Sequence, residues 1–141
     1  MQQLIEFSSN HALLVLAFIA VLGMLIYTEY LRFFSGIPNL SPYAATQLLN
    51  DNEAVFVDVR EEKEFKAGHI KGARNIPVNQ LDKHLHEIEK YKEKDVVVYC
   101  ESGMRASRVT GKLKKQGFTK LSSIAGGLAG WEKANLPLVS K

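Results

Sequence analysis

The chain has one cysteine, Cys100, and its neighbours are of the kind that let a thiol act. Cys100 closes the apolar run Val96-Val97-Val98-Tyr99. It is followed by Glu101, Ser102, Gly103, Met104 and Arg105, and then by a helical pattern. A strand that turns tightly into a helix around a glycine aims several backbone N–H groups at one point. The positive end of the helix adds to the attraction for an anion. A thiol held there is favoured as the thiolate, which is a nucleophile. The same N–H groups would stabilise a persulfide anion or an oxyanion. A free cysteine is also among the residues most often simply buried, and both readings start from the same position. The turn Cys100–Arg105 weighs toward the anion-cradling nucleophile. A single cysteine excludes an internal disulfide, a CxxC redox pair and a Cys-rich zinc site. No histidine adjoins Cys100, so the spacing gives no support to a Cys–His protease pair.

A second group lies at the end of another apolar run, Ala54-Val55-Phe56-Val57-Asp58-Val59, where Asp58 and Arg60 stand on the same side as Cys100. Two roles are open to them. They brace a loop, through hydrogen bonds or an Arg60–Glu64 pair, or they tune the cysteine directly. His84 and His86 do not share a helix face at their spacing, so no metal site is expected. There is no phosphate loop, dinucleotide fingerprint or EF-hand, and no cofactor is expected. Lys112, Lys114 and Lys115 form the densest basic group. They read as a solvated helix face. No aromatics interleave them, and no nucleic-acid partner is expected.

The elements that must position these residues follow from pattern. The runs 54–59 and 96–100 are β-rich and too short for helices, and the second is nearly continuous, as in strands buried on both faces. Ser41-Pro42 read as an N-cap and first helical residue, opening a helix through Leu49. Helical patterns follow at 61–67 and about 81–91. Ala106, Val109 and Leu113 mark one face of another helix, with Gly117 at its C-terminal stop. Leu121–Ile124 read as a weaker strand, and a last helix surrounds Trp131, a core residue. Strands alternating with helices predict an α/β fold, a parallel sheet flanked by helices on both faces. In such sheets ligands sit beyond the carboxyl ends of the strands, where Cys100 stands.

The first forty residues are different. Among the 141 residues, the net charge is +3, but residues 1–40 hold only Glu6, Glu29 and Arg32 as charged groups. Between Glu6 and Glu29 lie 22 residues without an Asp, Glu, Lys or Arg. A helix of that length spans about 33 Å, enough for a hydrocarbon core of about 30 Å. The stretch is apolar all round, and Tyr27 and Tyr30 mark one end. A cleaved signal would carry a basic start and a small-residue cleavage site, and neither is present. The expectation is one transmembrane helix over about 7–28 within an N-terminal segment 1–34, a linker 35–40, and a domain 41–141. Arg32 after the span places the N-terminus outside and the domain in the cytoplasm, at the cell's inner (plasma) membrane. An unpaired cysteine suits a reducing compartment.

The domain resembles the rhodanese domain, the sulfurtransferase module, over nearly all of residues 41–141. The matching pieces are Asp58-Val59-Arg60; Gly68-His69-Ile70-Lys71-Gly72-Ala73 with Asn75-Ile76-Pro77; Tyr99-Cys100 with Ser102-Gly103 and Arg105; and Gly117-Phe118, Gly126-Gly127, Trp131 and Leu136-Pro137. With its apolar head the chain is similar to single-domain, membrane-anchored bacterial members. The resemblance implies a rhodanese-like sheet and a ping-pong cycle. Cys100 takes a sulfane sulfur as a persulfide, cradled by the N–H groups of Glu101 to Arg105, and passes it to a thiol or cyanide. Arg105 would hold an anionic substrate. His69 would be structural. Related phosphatases have a seven-residue loop, and the six residues from Cys100 to Arg105 favour sulfur. Glu101 departs from the family's pattern, since many thiosulfate-using members carry a basic or neutral residue there, and an acid beside the cradle would repel a dianion. That makes a persulfide or protein donor a better expectation than thiosulfate. The implied partners are a sulfur donor and acceptor, the lipid bilayer and a membrane protein. Two rivals are a non-catalytic module that binds a partner or carries sulfur, and a small cysteine phosphatase or arsenate-reductase-like enzyme.

Overall fold

The computed structural model describes residues 11–34 and 36–140. The chain separates into two units between Gly36 and Ile37. The first is a helix, α1, at Ala12–Phe34. No proline or second glycine interrupts this run, so the helix continues past the expected end near residue 28. Its stretch Ala12–Tyr30 has mean hydropathy 2.3 and is long and apolar enough to cross a membrane. The Thr28 hydroxyl donates to the Leu25 carbonyl at 2.8 Å, so this polar group is satisfied within the helix. The expected span began at residue 7, and residues 7–10 lie outside those described, as does Ser35 of the expected linker.

The second unit opens with β1 (Asn39–Leu40) and α2 (Pro42–Asn50). Ser41 caps α2 through its Oγ, which accepts from the Ala44 N–H at 3.2 Å. Then come β2 (Ala54–Asp58), α3 (Glu62–Ala67), β3 (Arg74–Asn75), a 3₁₀ turn (Val78–Gln80) and α4 (Leu81–Glu89). After these follow β4 (Asp95–Tyr99), α5 (Met104–Lys115), β5 (Leu121–Ile124) and α6 (Gly127–Lys133). The five strands form one parallel sheet in the order β1-β5-β4-β2-β3. β1 and β3 have two residues each and stand at the edges, where short strands limit pairing with other chains. Asn39–Leu40 therefore belong to the sheet rather than to the linker. With no run of alternating residues, two-residue strands leave no period to read.

Alternation along the strands sorts the core into two layers. Val96 and Val98 point to one face, with Val57, Ile88, Val109 and Leu113. Val97 and Tyr99 point to the other, with Phe56, Ala45, Leu128 and Trp131. So α4 and α5 cover one face, and α2 and α6 the other. The buried Tyr99 hydroxyl accepts the Ile70 N–H at 3.1 Å. Burial, and next the charge of Asp58, push that phenol far above its usual range. The chain leaves β2 toward one edge and β4 toward the other. The carboxyl ends of β2 and β4 thus flank the point where connections diverge, where ligands sit in open α/β sheets.

Candidate functional site

Asp58 and Tyr99 are register partners, and the Val59 N–H donates to the Tyr99 carbonyl at 3.0 Å. Arg60 and Cys100 follow directly, so the pairing of β2 with β4 brings the two predicted groups together. Cys100 lies just past β4 and is fully buried.

The loop after it is built to turn N–H groups on the sulfur. Gly103 is left-handed at φ +102°, a conformation that strains any other residue. Its N–H donates to the Cys100 Sγ at 3.0 Å, and the Ala106 N–H donates at 3.4 Å. The second donor lies one residue beyond the expected cradle of Glu101 to Arg105. Ala106 occupies the first turn of α5, where N–H groups have no intrahelical acceptor.

The loop is held from behind by α6. The Leu128 N–H donates to the Cys100 carbonyl at 2.8 Å, and the Ala129 N–H to the Glu101 carbonyl at 3.1 Å. A trans peptide points its N–H opposite to its C=O. Anchoring these two carbonyls on α6 therefore turns the N–H groups of Glu101 and Ser102 away from it. The approach requires glycine at 127. Its φ is +60°, and a Cβ there would meet the Cys100 oxygen at 2.5 Å and the Glu101 oxygen at 2.6 Å. In sequence Gly126-Gly127 stands between the weaker strand and the last helix and belongs to the resemblance, with no role attached.

Asp58 and Arg60 form a buried brace. The Arg60 Nη2 and Nε bond the Asp58 carboxylate at 2.8 Å and 3.1 Å, and Nη2 also bonds the Gly68 carbonyl at 2.6 Å. Burial is the largest single influence and works against the Arg60 charge; the bond to Asp58 and the charges of Asp58, Tyr99 and Glu101 together outweigh it, so the guanidinium is held protonated more firmly than usual. Asn75 ties the brace to β3 by donating to the carbonyls of Asp58 and Arg60. The third arm of Arg60, Nη1, reaches the Glu101 carboxylate at 3.3 Å. Glu101 is thus paired with a buried cation, which offsets the repulsion expected of it.

One of the alternatives left open for Arg60 is corrected. Arg60 does not meet Glu64, because Asp58, Gly68 and Glu101 take its donors. Arg105 engages a neighbouring carboxylate with its fork. Its Nη1 and Nη2 bond the two Glu64 oxygens at 2.8 Å and 2.9 Å. Glu64 is the third residue of α3, where it also accepts the Glu61 N–H at 3.0 Å. Its pKa is lowered to about 2, chiefly by the bond to Arg105 and against some burial. In turn Glu64 raises the Arg105 guanidinium above its usual range. Glu61 and Glu64 close the start of α3 as a capping box in the structure. Nothing in sequence assigned Arg105 as the partner of Glu64.

Of the remaining predicted residues, Ser102 and Met104 are exposed at the rim. His69 is structural in its contacts, with Nδ1 2.8 Å from the Phe65 carbonyl and its ring stacked on Phe65 at 3.7 Å. His84 pairs with Glu87, and His86 is exposed. A groove of about 810 Å³ lined by Glu61, Lys63, Asn75, Pro77, Gln80 and His84, among others, does not include Cys100.

Known proteins share this architecture. A family model described as Rhodanese-like domain matches residues 41–134. The Escherichia coli (strain K12) protein YibN, described as uncharacterized, is 35% identical over 140 residues, covering 99% of this chain and 98% of its own length. A tRNA uridine(34) hydroxylase of Cronobacter sakazakii is 35% identical over 85 residues, which are 57% of this chain and 24% of that protein. A thiosulfate sulfurtransferase from Pseudomonas aeruginosa superposes with TM-score 0.71 at 24% identity, over 81% of this chain and 22% of that one. This last likeness is one of fold.

Proposed function

The chain belongs to the rhodanese-like domain family, and from that premise we propose that it is a membrane-anchored sulfurtransferase working through a persulfide on Cys100. The observation that carries this reading is the pair of N–H groups aimed at the Cys100 sulfur from a loop pinned on its far side to α6. That arrangement stabilises charge on sulfur without needing to rearrange during reaction. The Cys100 thiolate attacks the outer sulfur of a donor R–S–SH. The bond between the donor sulfurs breaks, its electron pair leaves with RS⁻, and Cys100 carries the persulfide. Cyanide or a thiolate then attacks the outer sulfur, the S–S bond to Cys100 breaks, and the Cys100 thiolate returns.

Gly103 and Ala106 hold the inner sulfur. The N–H groups of Glu101, Ser102, Met104 and Arg105, which do not bond Sγ, serve the outer one. Because Cys100 is fully buried, a donor approaches it with its sulfur end. The Asp58–Arg60 brace fixes the neighbouring strand end, so these two are positioning residues. Helix α1 anchors the domain in the bilayer as a single span. Arg32 supports an orientation with the domain in the cytoplasm. There the tether would hold the domain near a membrane-protein donor or acceptor.

Turnover tests this reading. The full-length protein in detergent, supplied with an organic persulfide and cyanide, should release thiocyanate at a rate proportional to enzyme. Cys100→Ser should leave only the uncatalysed background. Equal rates from the two proteins would refute the role given to Cys100.

A further inference from the structure

The charged groups around Cys100 are committed to one another. Arg60 is held by Asp58 and Glu101, and Arg105 by both oxygens of Glu64. Two guanidiniums thus face three carboxylates, and the frame has a net negative charge. Arg105 adjoins Ala106, whose N–H holds the sulfur. After the bond to Glu64 and against some desolvation, the Cys100 charge is one of the lesser influences that hold Arg105 charged. A donor ending in a sulfonate dianion needs a cation at the cradle. The Arg105 fork fits a tetrahedral oxyanion as well as a carboxylate, but Glu64 already occupies it.

Resting on the sulfurtransferase reading, we propose that Glu64 selects the donor class. By engaging Arg105 at two points, it keeps the cradle closed to sulfonate donors such as thiosulfate and leaves Cys100 to organic persulfides. The persulfide delivers its outer sulfur to Cys100 without a dianionic group to be neutralised, so it does not need Arg105. Glu64 comes from α3, an element outside the 100–105 loop. Donor choice is therefore set by a residue that does not touch the reacting atoms. Glu64 is a specificity-determining and positioning residue, not a catalytic one.

The test is Glu64→Gln in the full-length protein, assayed with thiosulfate and, separately, with the persulfide of an otherwise uncharged thiol. Glutamine keeps an oxygen for the Glu61 N–H, so the start of α3 is preserved. It gives up the charge that competes for Arg105. A charge-assisted pair is strong enough that its release should lower KM for thiosulfate about tenfold. The kcat with thiosulfate and both constants for the persulfide should stay within about twofold. The gain should vanish in Glu64→Gln combined with Arg105→Gln, because the fork that binds sulfonate is then absent. An unchanged KM for thiosulfate, or equal losses with both donors, would overturn the inference while sulfur transfer stood. Survival of the gain without Arg105 would overturn it too. No transfer from either donor to either protein would instead remove the sulfurtransferase reading, and this inference with it.

Discussion

Replacing Gly127 with alanine should damage the Cys100 loop from behind, without touching a residue that faces the sulfur. The new Cβ would lie 2.5 Å from the Cys100 carbonyl oxygen and 2.6 Å from that of Glu101, both backbone atoms. Neither can yield as a flexible side chain would. Gly127 also has φ +60°, where a non-glycine residue costs roughly 1–2 kcal/mol. To relieve the contact, α6 must move off the loop. That lengthens the bonds from Leu128 N–H to the Cys100 oxygen and from Ala129 N–H to the Glu101 oxygen, now 2.8 Å and 3.1 Å. Each bond is worth about 1 kcal/mol. The sum is about 3 kcal/mol, which for a domain of about a hundred residues lowers the melting temperature on the order of 15 °C. Thermal unfolding followed by circular dichroism reads the loss. Persulfide formation below the transition reads the loop, and its rate should fall at least tenfold because the N–H groups are no longer aimed. Gly111 supplies the control. It lies in α5 with nothing within 4 Å of where a Cβ would stand, so Gly111→Ala should be neutral or stabilise by about 0.5–1 kcal/mol. A Gly127→Ala protein that melts with the wild type and forms persulfide at the same rate would show that α6 does not brace the loop.

Three further outcomes are expected. Asp58→Ala leaves the buried Arg60 guanidinium without its main partner and should cost about 3–5 kcal/mol, read as a lower urea midpoint; an unchanged midpoint would mean that Arg60 finds water or Glu101 instead. Glu64 is held at about pKa 2 against an ordinary 4.5, so its contribution is complete above about pH 4.5 and is lost as pH falls toward 2. The wild type should therefore lose more stability than Glu64→Gln between pH 5 and pH 2, and parallel losses in the urea midpoints would contradict the pairing with Arg105. Alkaline carbonate extraction of membranes should leave the full-length chain in the pellet; its release into the supernatant would refute the anchor.

The sheet's two long central strands were legible because they are β-branched runs ended by chemically distinctive residues. Asp58 and Cys100 could be placed at strand ends from that pattern alone. Edge strands β1 and β3 were not legible, because two residues carry no period and their pairing is set by distant partners, Ser123–Ile124 and Val57–Asp58. The loop's glycine announced the tight turn, and Trp131 and the Ala106-Val109-Leu113 stripe announced the core. What the sequence hid was the pairing of charges. Arg60, Glu64, Glu101 and Arg105 were all visible as residues. Which carboxylate meets which guanidinium depends on where α3 packs against the cradle, across forty-one positions of chain in both pairs. The likeness of types allowed an Arg60–Glu64 pair, and the geometry chose Arg60–Glu101 and Arg105–Glu64. The bracing by α6 was hidden for the same reason. Backbone N–H groups have no side-chain signature, and only the glycine that permits the approach shows in the sequence.

The central claim is that Cys100 carries the transferred sulfur. The most direct measurement is the intact mass of the full-length protein before and after exposure to an organic persulfide, with Cys100→Ser treated alongside. The account predicts a one-sulfur gain in the wild type alone, mapped to the peptide containing Cys100 and reversed by cyanide with release of thiocyanate. A gain of equal size in Cys100→Ser, or none in the wild type, would contradict it.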